Sequence, residues 1–138
     1  MRRIALAAAA VLVTASGITG VAVAAAMPAS AQASCTDVSG FTDVRGYQAV
    51  IPTIGYQTHR DDCELGLGND SYAVVALQET LDGCYGQHLA TDGDYGPLTQ
   101  AAVEVAQRAA HVTADGVYGP VTRDHINWWD TVTPCAKL

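Results

Sequence analysis

Basic residues are scarce: 7 Lys and Arg face 14 Asp and Glu. Two of the seven, Arg2 and Arg3, belong to an apolar leading segment, so from Gln32 onward 5 basic residues oppose 14 acidic ones, a formal charge of −9. A nucleic-acid surface needs clustered cations to displace counterions from phosphates, and here Arg45, Arg60, Arg108, Arg123 and Lys137 stand singly. DNA and RNA binding are excluded on that ground. Metal-ligand spacing is also missing, with no C-x-x-C and no H-x-x-x-H anywhere in the chain. The densest ligand-type cluster, His59, Asp61, Asp62 and Cys63, reads as a solvated loop beside a disulfide. Asp92-Gly93-Asp94 has the start of a calcium loop, but Val103 stands where the closing Glu belongs. No metal and no cofactor are expected.

An uninterrupted run of about 20 apolar residues, the length that spans a bilayer, is absent as well. After Met1-Arg2-Arg3 the apolar run from Ile4 to Val13 gives way to Thr14, Ser16, Gly17, Thr19 and Gly20. A charged start, a short apolar stretch and an A-x-A site are the parts of a secretory signal peptide. Residues 1–31 are read as that leader, with cleavage after Ala31 or Ala33, so the mature chain is expected to be secreted, extracellular and free of the membrane. Catalytic constellations are lacking too. A hydrolase needs paired carboxylates, a zinc site or a Cys/His pair. The acids here fall mainly in turns, and the pairs His125 with Asp124 and His88 with Asp92 read as structural. The expectation is no enzyme and no catalytic residue.

The chain does have four cysteines, Cys35, Cys63, Cys84 and Cys135, all beyond the leader. An even count in a short exported chain predicts two disulfides, with three connectivities open. Residues 32–67 form a loop-rich N-terminal extension, whose one apolar stretch, Tyr47 to Ile54, is broken by Pro52 and is demoted to an edge strand or extended arm. Residues 68–130 carry three helical signals. Val74, Leu77 and Leu81 form a stripe over Ser71–Leu81, ended by Asp82-Gly83. Pro97 opens a second helix to Ala110, and Pro120 a third to Trp129, each proline suiting a first helical position whose N–H has no partner. Residues 131–138 are a tail carrying Cys135.

An internal repeat stands out. Asp92-Gly93-Asp94-Tyr95-Gly96-Pro97-Leu98-Thr99 returns as Asp115-Gly116-Val117-Tyr118-Gly119-Pro120-Val121-Thr122. Asp-Gly tolerates the turn, the second Gly frees the backbone and Pro opens the helix. Two such turns, each feeding a helix, predict an all-α, compact three-helix bundle with the turns near each other.

Those turns, together with Val74-x-x-Leu77-Gln78-x-x-Leu81, Ala101-Ala102-Val103, Gln107 and Ile126, resemble the bacterial three-helix peptidoglycan-binding domain family. The resemblance covers about Gly68 to Trp129. It implies a compact, non-catalytic domain that attaches proteins to cell-wall peptidoglycan. Two positions depart from the family pattern: Ala106 stands where an aromatic usually precedes the glutamine, and His111-Val112 replaces a Gly-Leu pair. The first leaves space for Trp128 or Trp129.

Peptidoglycan presents apolar sugar faces, N-acetyl groups and stem peptides bearing carboxylates and amines. Aromatic platforms, amides and carboxylates recognise such groups. The ligand-binding candidates are therefore Asp94, Tyr95, Tyr118, Trp128, Gln78 and Gln107. Each has a bland alternative: the tyrosines as packing under the turns, the glutamines as internal braces. Asp94 differs because Val117 fills the matching place in the second copy, so the turn itself does not demand its carboxylate. Helical spacing from Ile126 points Trp129 inward and leaves Trp128 as the exposed platform. The function expected is a secreted module binding peptidoglycan through glycan or stem peptide. The alternative is an adaptor or inhibitor whose partner is a secreted wall enzyme.

Overall fold

The computed structural model describes residues 32–43, 45–130 and 135–138. The leader, residues 1–31, lies outside them, as does part of the tail. Strands β1 (Asp37–Thr42) and β2 (Gln48–Thr53) are followed by helices α1 (Tyr72–Tyr85), α2 (Pro97–Ala109) and α3 (Pro120–His125).

The chain is thus not an all-α bundle. β1 and β2 pair antiparallel, from Asp37 opposite Thr53 to Thr42 opposite Gln48. The connection is closed by Asp43, whose Oδ1 accepts the N–H groups of Arg45 (2.7 Å) and Tyr47 (3.0 Å), with Gly46 at φ +89. Pro52 fits because a two-stranded sheet has only edge strands, and an edge residue need not donate its N–H to a neighbour. Β-strand propensity gives no hint of β1: Asp-Val-Ser-Gly-Phe-Thr contains two residues depleted in strands.

The hairpin packs on α1, and one buried cluster joins Cys35, Ile51 and Leu65 to Leu77, Tyr118 and Trp128. Disulfides Cys35–Cys63 and Cys84–Cys135, with Cα atoms 5.1 and 5.2 Å apart, choose one of the three open connectivities. The first ties the start of β1 to the segment entering the helices. The second ties α1 to the chain end.

Two helix boundaries differ from the sequence reading. α1 continues past Asp82-Gly83 for another turn, because Gly83 serves as a contact surface: a Cβ there would collide with the Trp129 ring. The real stop is Gly86 at φ 61, its N–H bonded to the Asp82 carbonyl, as left-handed glycine caps generally do. α3 stops at His125, four residues early. Beyond it Trp128 exchanges backbone hydrogen bonds with Ala136, 2.7 and 3.2 Å, so the segment is extended. Side chains then alternate faces instead of following a 3.6-residue period. Ile126, Trp128 and Asp130 point inward and Trp129 points out, the reverse of the expected orientation. Trp128 is 1% exposed and Trp129 40%.

His111, in place of a family glycine, has φ +58. It occupies the left-handed position after α2 that glycine fills most easily.

Candidate functional site

The repeated turns are built in the same way. Each lies against the segment before α1: Tyr118 exchanges backbone bonds with Leu65, both 2.9 Å, and Tyr95 bonds Asn69 (2.8 Å) and Gly68 (3.1 Å). Each is then locked by one glutamine. Gln78 Nε2 donates to Asp92 Oδ1, to the Asp94 carbonyl and to Thr99 Oγ1, at 3.0, 3.0 and 3.2 Å, while its Oε1 accepts the Gly93 N–H at 3.0 Å. Gln107 Nε2 donates to Asp115 Oδ1, the Val117 carbonyl and Thr122 Oγ1, at 2.7, 2.9 and 2.9 Å, and its Oε1 accepts the Gly116 N–H at 2.9 Å. The two constellations correspond atom for atom. Gln78 comes from α1 and Gln107 from α2, so each turn is pinned to the helix before it. The turns are also linked to each other, since the Tyr95 hydroxyl donates to the Gly116 carbonyl at 2.8 Å.

The six sequence candidates take different places in this construction. Gln78 and Gln107 are buried and occupied as braces. Tyr95 and Tyr118 are buried plugs, and Tyr118 meets Trp128 edge to face at 6.0 Å. Trp128, with its Nε1 donating to the Arg123 carbonyl at 3.0 Å, belongs to the core and is no platform. Asp94 alone is exposed. The brace takes only its backbone, whose N–H bonds Asp92 Oδ1 at 3.0 Å and whose carbonyl accepts from Gln78. Val117 is held the same way, so the Asp94 carboxylate is an addition to the shared frame.

Electrostatics follow from these positions. The Gln78 amide, and then the Asp94 N–H, hold the Asp92 carboxyl below its usual pKa. Burial pushes the Tyr95 and Tyr118 hydroxyls well above 10, with nearby Asp115 adding to the effect at Tyr95. A phenol whose folded-state pKa is raised contributes stability that is complete below the unfolded value of about 10 and is lost as pH rises toward the folded value. The chain is therefore predicted to unfold in alkali, with Tyr95 and Tyr118 ionising only as helical circular dichroism disappears. Tyrosinate absorbance followed alongside dichroism checks this, and ionisation of all 6 tyrosines in a chain with native dichroism would contradict it.

Surface depressions flank the turns and the hairpin. One of ≈ 160 Å³ lies at the first turn, lined by Leu89, Asp92, Asp94, Pro97 and Leu98. Another of ≈ 270 Å³ lies at the second turn, lined by Glu64, Asp115, Val117 and Val121. A third, of ≈ 420 Å³, lies between the hairpin and α1. Its Phe41, Val50, Glu79, Trp129 and Asp130 are absent from the sequence candidates, because the hairpin and the extended segment that gather them are not visible locally. An aromatic pair, Trp128-Trp129, was the available signal, and its orientation was the missing part. Among the described residues no group of three or more His, Cys, Asp and Glu could hold a metal ion.

Residues 70–126 match the model of the putative peptidoglycan binding domain. The match supports a peptidoglycan-binding domain-like family for this segment. The matched segment contains α1, α2, α3, both turns and both glutamine braces, and leaves out the hairpin and Trp128-Trp129. The chain is also similar to a peptidoglycan-binding protein from Clostridioides difficile, whose crystal structure holds glutamine hydroxamate. Identity is 25%, the TM-score is 0.48, and the match covers 63% of this chain and 54% of that one. This chain thus corresponds to about half of that protein's length. No curated protein matches it.

Proposed function

We propose that the chain is an exported, non-catalytic module that retains itself on peptidoglycan, with the Asp94 carboxylate at the first turn as a direct contact. One observation carries the assignment of Asp94: the two turns are braced identically, yet only the first places a carboxylate at the third position, beside a depression edged by Leu98. A side chain that the frame does not need, exposed beside a concave surface, is available for a ligand's hydroxyl or amide donors. The tyrosines and glutamines serve this function indirectly by holding the turn rigid.

The experiment is co-sedimentation of the oxidised chain from Gln32 onward with purified sacculi, with released sugars and peptides assayed in the same tubes. Retention without release is expected. Asp94→Ala is predicted to weaken retention about tenfold, the effect of losing one charge-assisted hydrogen bond of about 1.5 kcal/mol, without changing the thermal midpoint. Equal retention of wild type and Asp94→Ala would remove Asp94 from the site. Failure of the wild type to sediment would overturn the wall reading and point to a protein partner.

A further inference from the structure

The concavity between the hairpin and α1 lies mostly outside the family segment. Its walls are Phe41 of β1, Val50 of β2, Glu79 of α1 and the extended residues Trp129 and Asp130. Among these, Trp129 is 40% exposed and Val50 50%. Large apolar side chains held in a concave surface, away from the core they could have joined, mark a recognition surface more often than an isolated exposed residue does.

Trp129 is held in a fixed position. Its ring lies against the Gly83 backbone so closely that a Cβ at residue 83 would overlap it. The neighbouring Cys84–Cys135 disulfide and the Trp128–Ala136 backbone pair fasten the same segment to α1. Asp130, only 3% exposed, is fixed at the wall by the Gln48 N–H, 3.2 Å from its Oδ2. A rigid aromatic binds without first paying to be ordered.

The lining chemistry selects the ligand. Among the described residues no Lys, Arg or His lines the groove, and from Gln32 onward the chain carries its formal charge of −9, so anionic molecules are repelled. Trp129, Phe41 and Val50 offer apolar contact to a flat, C–H-rich face, and the exposed Glu79 is an acceptor at its edge. A molecule with an apolar ring face and a rim of hydroxyl and amide donors complements both. We propose that this groove binds a neutral N-acetylated saccharide, one ring stacking on Trp129 with Glu79 accepting a hydroxyl or N-acetyl N–H. The volume of ≈ 420 Å³ falls within the roughly 300–1,000 Å³ of small-molecule sites. The site is separate from the Asp94 turn and stands on its own geometry.

The test is calorimetric titration of the oxidised chain with soluble β-1,4-linked N-acetylglucosamine tetramer across a salt series. Saturable binding that hardly changes with salt is expected. Trp129→Ala should weaken it about tenfold or more, as loss of a stacking contact near 1.5 kcal/mol requires. Glu79→Gln, on the exposed face of α1 and harmless to folding, should weaken it several-fold, while Tyr56→Ala, an exposed aromatic elsewhere, leaves it unchanged. Absence of saturable binding, full affinity in both Trp129→Ala and Glu79→Gln, or binding that collapses with salt as an amine-bearing peptide would show, each overturns the proposal. If the tetramer fails while sacculi still retain the chain, the groove inference falls and the wall reading stands; tetramer binding by a chain that sacculi do not retain has the opposite meaning.

Discussion

Reduction of both disulfides is predicted to unfold this protein at room temperature and neutral pH. Cys35–Cys63 closes a separation of 28 residues and Cys84–Cys135 one of 51. By the chain-entropy relation each cross-link removes denatured-state freedom equivalent to about 3.6 and about 4 kcal/mol. Native stability of a small domain is about 5–15 kcal/mol in total, and the 107 residues from Gln32 onward have little surplus core to compensate. Losing both therefore takes most or all of it. The two bridges also differ in what their removal releases. Without Cys35–Cys63 the hairpin loses its tie to the core, whereas without Cys84–Cys135 the segment carrying Trp129 and Asp130 is no longer fastened to α1. The variant Cys84→Ala/Cys135→Ala should accordingly lower stability by about 4 kcal/mol and also lose saccharide binding at temperatures where it remains folded. Urea melts with and without reductant read the first effect and calorimetry the second. A reduced chain with the oxidised chain's midpoint would show that the core is sufficient alone.

What could be read from the sequence divides along the reach of the interactions. The repeated turns, the prolines that open α2 and α3, and the amphipathic stripe of α1 depend on neighbours a few residues away, and each is written locally. The position of Asp94 outside the needs of its turn was likewise visible by comparing it with Val117. The hairpin was not visible, because Gly40 and Pro52 weaken the strand signal and the pairing is stabilised by packing on α1 and by the bond from Cys35 to Cys63. The end of α3 was hidden for a similar reason. Nothing between His125 and Trp129 breaks a helix; the stop comes from pairing of Trp128 with Ala136, near a cysteine whose partner lies 51 residues away. That one nonlocal event exchanged the roles of Trp128 and Trp129, and with them the location of the exposed aromatic. The glutamines sit at an intermediate range. Amides on apolar helix faces are legible as braces or contacts, but only the folded arrangement shows four bonds made by each.

Gln107→Ala should be among the more damaging substitutions of a polar residue. Gln107 is 1% exposed, and its amide serves four partners that nothing else reaches in the same way. Truncation leaves the Gly116 N–H, which is buried, without its acceptor, and removes the amide donor, leaving Asp115 Oδ1 with the Val117 N–H and the Val117 carbonyl with the Thr122 hydroxyl. A buried donor left unmade costs about 1–3 kcal/mol and a net hydrogen bond about 1 kcal/mol, so a loss of about 3–4 kcal/mol is expected in urea melts. Gln107→Glu separates the two halves of the brace. It keeps an acceptor for Gly116 but replaces the donor with a carboxylate facing Asp115 across the 2.7 Å contact. That variant should be at least as unstable at neutral pH and recover partly in mild acid, where protonating either carboxyl relieves the repulsion and restores a donor. The alanine variant has no such recovery. Gln78→Ala is expected to act on the first turn in the same manner, with the longer bonds giving a smaller loss. Because the Tyr95 hydroxyl bonds the Gly116 carbonyl, the turns share a partner, and loosening either one weakens the constraint on the other. The double variant should then cost less than the two single losses together, as coupled sites do; strict additivity would mean that the turns are held independently and that the Tyr95 link carries no strain between them.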